Sequence, residues 1–140
     1  MRTLTTLCAF LLAAVAVAQG PSAYAGWHEG SALNGPFDPN RVFVFSGKVI
    51  GVDVSSPRIE VAPGVAVLIR LGDGRSALVE LGPLAFLELK SARPRIGEVL
   101  DFAGSKVFDG LGTTYLASRV KHGRTETVLR TVEGRPMWTR

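Results

Sequence analysis

Apolar and polar positions alternate along most of this chain in short runs separated by turn-forming residues. From Val42 onward, stretches rich in Val, Ile, Leu and Phe are bounded by Gly, Pro, Asn, Asp or Ser, and turn signals recur every eight to twelve residues. Strands of that length and spacing make a small all-β barrel or sandwich. The runs predict strands over Val42–Val54, Val65–Leu71, Ser76–Leu81, Val99–Val107, Thr113–Lys121 and Glu126–Val132. Gly47 and Gly51 inside the first predict a bulge or sharp coil, through which one long strand serves two sides of a barrel. "GDGR" (72–75) joins the second and third strands, and its Asp73-Gly74 pair is the strongest hairpin signal, with Gly74 expected at positive φ. Between the third and fourth strands "GPLAFLELK" (82–90) predicts two helical turns, with Pro83 at the favoured start. Three strands, a short helix and then further strands is the order of an OB-fold. The expected fold is therefore all-β: a small OB-like barrel of five to six strands with one short helix between strands 3 and 4. A plain β-sandwich is the alternative that the same runs allow.

The first residues follow another pattern. Leu7 to Ala18 is an unbroken run of twelve apolar residues behind a single positive charge, Arg2. That length suits a secretory signal and falls short of the ~20 residues that span a bilayer. Small residues at the −3 and −1 positions occur twice, in Ala16-Val17-Ala18 and Ala23-Tyr24-Ala25. Gly20-Pro21-Ser22 breaks the helix before the second, so cleavage is expected after Ala25, with Ala18 as the alternative. The organisation that follows is a signal peptide over 1–25, an irregular Gly- and Pro-rich arm over 26–40, and the OB-like domain over 41–140. The processed chain would have no transmembrane anchor and would be periplasmic or secreted.

Composition narrows the chemistry. The whole chain has 16 Lys and Arg against 12 Asp and Glu, and losing Arg2 with the signal leaves a mild net charge of +3. Cys8, the only cysteine, would leave too. The processed chain could then hold no disulfide, c-type haem attachment, cysteinyl zinc or iron–sulfur cluster, and would depend on its apolar core. Signatures of catalysis are missing from the sequence. His28 and His122 are the only histidines, no Ser sits in a Gly-x-Ser-x-Gly elbow, and "GLGTTY" (110–115) reads as a hairpin turn rather than a dinucleotide fingerprint. The expectation is a non-enzymatic binding or accessory module.

Three sets of residues are candidates for binding. Arg70 and Arg75 flank the Asp73-Gly74 turn and Arg58 lies in the loop before the second strand. Together they are expected to form one positive rim on the face of strands one to three, where OB barrels bind, for an envelope protein or an anionic small ligand. Single-stranded nucleic acid is a further reading of that rim. A net charge of +3 and scarce stacking aromatics argue against it, since Phe43, Phe45, Phe102 and Phe108 are expected in the core. Trp138 is expected to fold back as a plug on an open barrel end rather than to stack on a ligand. Finally, a chain cut after Ala25 would begin Gly26-Trp27-His28. The α-amine of Gly26, two peptide nitrogens and the His28 imidazole could then wrap Cu(II) or Ni(II) in a plane. That metal-binding reading is the runner-up; apart from it no cofactor is expected.

The segments "LGPLAFL" (81–87), "GEVLDFAGSKV" (97–107) and "LRTVEGRPMW" (129–138), in that order and spacing, resemble a group of small exported bacterial proteins with an OB-like barrel. The likeness extends through the tryptophan-bearing arm into "FDPNRVFVFSGKV". This chain departs from the pattern at Ala85-Phe86, where an aromatic pair is expected, and at Thr131, where an Asp is. The resemblance implies a fold and a compartment, and no activity.

Overall fold

A computed structural model describes residues 22–108 and 112–138, without the side chain of Phe108; most of the expected signal peptide lies outside them. The long first strand, β1 (Val42–Ser55), belongs to two sides of the structure. Its first half pairs antiparallel with β4 (Val99–Phe108), from Val42 opposite Ser105 to Lys48 opposite Val99. Its second half pairs with β2 (Gly64–Arg70), from Lys48 opposite Arg70 to Ser55 opposite Gly64. The register shifts between Val49 and Gly51, a bulge that bends the strand from one side to the other. Gly47 sits at this bend against Ile69, where a Cβ would come within 2.7 Å of that side chain.

β2 turns through Leu71–Arg75 into β3 (Ser76–Pro83). Leu71 N–H donates to the Arg75 carbonyl at 2.8 Å, and Gly74 holds φ +86°, the left-handed conformation expected of it. A single short helix, α1 (Leu84–Leu89), follows directly behind Pro83. β5 (Thr113–His122) then pairs antiparallel with β4 and parallel with β3, and the latter contact closes a five-strand barrel. β6 (Thr125–Val128) adds a strand to the far end of β5. It stops four residues earlier than expected, because the Leu129 and Arg130 N–H groups both turn onto the Ser118 carbonyl and the chain doubles back to bridge Arg130 with Pro136.

Inward positions of the strands fill the barrel. On β2, Val65, Val67 and Ile69 are buried while Leu68 and Arg70 face out, the period-two pattern of a half-buried strand. Val79, Leu81, Leu100, Phe102, Leu116 and Val120 join them, and α1 contributes Phe86 and Leu87. The expected aromatic core is only partly realised. Phe102 is buried and Phe45 half-buried, but Phe43 is 48% exposed, its ring edge against Tyr115. The cause is topological: among the described strands, the first half of β1 has a neighbour on one side only.

The arm and the last residues close one end of the barrel together. The Trp27 indole N–H donates to the Ala62 carbonyl at 2.8 Å, and its ring lies on Gly64, where any Cβ would collide with it. Trp138 returns from the other terminus and packs edge-on against Trp27 and Phe86, its indole N–H donating to the Trp27 carbonyl at 2.8 Å. It is the plug that the sequence suggested. No helix among the described residues is long and apolar enough to cross a membrane.

Candidate functional site

A charged side chain is buried in the interior, Arg130, which is 1% exposed. Its Nε donates to Asn34 Oδ1 at 3.1 Å, and its Nη1 donates to the carbonyls of Leu81 (3.0 Å) and Ala117 (2.5 Å). The guanidinium lies over the Trp138 ring at 5.1 Å. Burial pushes its pKa down to about 10, with the Glu80 carboxylate acting in the opposite direction. Asn34 in turn donates to the Trp27 carbonyl at 2.6 Å. Arg130 thus ties the arm, β3, β5 and the C-terminal return into one clamp. Such a buried group organises the fold; it does not offer a surface.

A surface that joins two grooves to charges of both signs lies on the outside of β1, β4, β5 and β6. Cross-strand pairing places Val44, Ala103, Arg119 and Val128 in one row across the four strands. Ser46, Asp101, Lys121 and Glu126 form the next row. Residues directly opposite in antiparallel strands share a face and touch. A groove of about 280 Å³ runs between the rows, and a second of about 410 Å³, lined by Phe37, Val42, Val128 and Val132, adjoins it at Arg119. Val44 is 80% and Val132 79% exposed, and each lines one of the two grooves. Beside them the charges alternate in sign. Ser46 Oγ donates to Asp101 Oδ1, and Arg119 Nη1 lies 3.5 Å from Glu126 Oε1. The sequence hid this face, because its members come from four strands and look individually like ordinary alternation.

The arginines expected to form one rim are not gathered. Arg70 and Arg75 do stand together at the β2–β3 turn, but Arg58 lies in the loop at the other end of β2. Seven residues of strand separate them, roughly 20 Å at the rise of an extended chain. Arg75 is also occupied. Its main-chain N–H and its Nε donate to Asp73, at 3.0 and 2.6 Å, and these two bonds hold the Asp73 carboxyl below the usual carboxylate range. Arg70 faces Lys48 across β1.

Arg58 instead shares a groove of about 280 Å³ with Gly26 and His28. His28 is exposed there, while Gly26 sits at φ +81° against Val61. The peptide N–H of Trp27, one of the nitrogens needed for a planar copper site, donates to the Tyr24 carbonyl at 2.9 Å. His122 is elsewhere, its Nδ1 3.3 Å from Glu98 Oε2. Among the described residues no group of three or more His, Cys, Asp or Glu side chains could hold a metal.

No curated protein and no solved structure matches the chain. One family model does, that of the MamS/MamX magnetosome protein family, over residues 41–127. That stretch is more than half of the chain and runs from the start of the barrel into β6. It contains both rows of the outer face except Val128, and it leaves out the arm and the Arg130–Trp138 return.

Proposed function

The chain belongs to the MamS/MamX magnetosome protein family, and on that footing we propose that it is an exported, non-enzymatic accessory module of the magnetosome that works by binding another protein. The contact surface in this reading is the outer face of β1, β4, β5 and β6. Export is supported by the Leu7–Ala18 apolar run with small-residue cleavage patterns behind it.

One observation carries the choice of partner: aliphatic side chains stand open beside charges of both signs on a single sheet face. Val44 and Val128 supply apolar contact, and Asp101, Lys121, Glu126 and Arg119 supply directional polar contact on the same rows. Protein interfaces combine an apolar centre with a polar rim in this way. An anionic small ligand needs convergent positive groups, and Arg58 stands a strand's length from Arg70 and Arg75. Nucleic acid needs a basic groove with stacking aromatics, and the charges here alternate.

The test is fractionation. The wild-type protein is expected to co-purify with isolated magnetosomes, and a Val128→Asp, Arg119→Asp variant of unchanged circular dichroism is expected to be lost from them. Full retention of the folded variant would remove this face from the mechanism.

A further inference from the structure

The first half of β1 is an edge. Among the described strands nothing pairs with its second side from Val42 to Gly47, since the β2 ladder begins only at Lys48. Backbone groups alternate in direction along an antiparallel strand. Val49 exchanges hydrogen bonds with Glu98 and Gly97 on the β4 side, so Val42, Val44 and Ser46 direct their N–H and C=O groups away from β4. Sheet edges are ordinarily blunted by charge, proline, a bulge or a covering loop. The segment "VFVFSG" contains no charge and no proline, and the bulge of β1 comes only after it. The 80% exposure of Val44 shows that no described residue covers the middle of the edge.

We propose that this edge pairs with the same edge of a second copy of the chain, antiparallel about a two-fold axis at Val44, so that two barrels share one continuous sheet. An isologous contact must be self-complementary, and this segment is. With the axis at Val44, Phe43 lies opposite Phe45 of the second copy and Val42 opposite its Ser46. Aromatic pairs on one face of a sheet are favourable, and this one extends the cluster of Phe43, Phe45 and Tyr115 already present. It also covers Phe43, which the monomer leaves half exposed. The flanking cations do not meet: Arg41 falls opposite Gly47 of the second copy, and Lys48 opposite its Asn40. Pairing through the edge leaves the rows of β4, β5 and β6 open, and each dimer displays them twice. The proposal goes beyond the accessory reading and does not depend on it.

The experiment is sedimentation of the purified chain over a micromolar concentration series. The wild type is expected to reach twice the monomer mass, and Val44→Lys to remain monomeric with unchanged circular dichroism. Lysine at so exposed a position disturbs no packing, and it sets two like charges face to face at the axis. Should that variant fail to fold, Val44→Cys in a Cys8→Ser background decides the matter. Directly opposed residues of a hydrogen-bonded pair carry Cβ atoms about 5.5 Å apart, within the span of a short bis-maleimide reagent, so a covalent dimer should form with that reagent, while Ile59→Cys, a still more exposed control, should not link. A wild type that stays monomeric, a Val44→Lys variant as dimeric as the wild type, or equal linking by the two cysteine variants would overturn the proposal.

Discussion

Single residues whose geometry is already strained or buried give the sharpest expectations. Gly74 holds φ +86° and has no atom within 4 Å of the position a Cβ would take. Gly74→Val therefore meets no steric neighbour and suffers only the left-handed backbone cost, about 1–2 kcal/mol. Denaturant unfolding should register that loss with an unchanged m-value. Arg130 is a different case. Replacing it by Met leaves Asn34 Oδ1 and the Leu81 and Ala117 carbonyls without this donor, at about 1–3 kcal/mol for each buried orphan. The substitution also removes a burial cost, because burial holds the pKa of the folded guanidinium down to about 10, below that of the unfolded chain. That cost is present at neutral pH and fades as pH rises from about 10. The hydrogen bonds win, and a net loss of about 3 kcal/mol is expected at pH 7; a variant as stable as the wild type would show the charge to be a net burden. Gly74 was legible in the sequence because its cause is local, two neighbouring residues in a turn. Arg130 was not, since its partners lie 96, 49 and 13 positions away in the chain.

At the scale of elements, both tryptophans belong to the closure of the barrel end. Trp138→Ala should cost about 3–5 kcal/mol by opening a cavity against Trp27 and Phe86. Trp138→Phe keeps a ring and loses the bond to the Trp27 carbonyl, about 1 kcal/mol. Comparison of the two by thermal unfolding separates packing from hydrogen bonding. The strands and α1 were legible because each carries its own period and turn residues. The early end of β6 was not, because the inward turn of Arg130 is a tertiary matter. The arm also bears on processing. Tyr24 packs on the Phe86 ring, and the Ala25 carbonyl accepts from Ala62 N–H at 2.8 Å. A cut after Ala25 discards these contacts, whereas a cut after Ala18, the alternative site, preserves them. N-terminal sequencing of the exported protein is expected to return Gly26, as the Ala23-Tyr24-Ala25 pattern predicts, with the amine needed for copper; a start at Gln19 would keep these contacts and remove that amine.

For the whole molecule, the decisive feature is which faces of the barrel gather chemistry. The rim expected of Arg58, Arg70 and Arg75 treated neighbours in sequence order as neighbours in space, and the length of β2 separates them. The face of Val44, Arg119, Lys121, Glu126 and Val128 became visible only when registers across four strands were known. Single-stranded DNA should accordingly bind negligibly at physiological ionic strength, and any weak binding should vanish as salt rises; salt-resistant micromolar binding would contradict this. The central claim is that the outer face of β1, β4, β5 and β6 holds a protein partner. Its most direct measurement is in-cell photocrosslinking from single positions, with the reactive side chain placed at Val128 or, as a control on the opposite loop, at Ile59. A discrete adduct with a magnetosome-fraction protein is expected from position 128, lost with Arg119→Asp, and none from position 59. Adducts from position 59 alone, or from both positions equally, would contradict the assignment of this face.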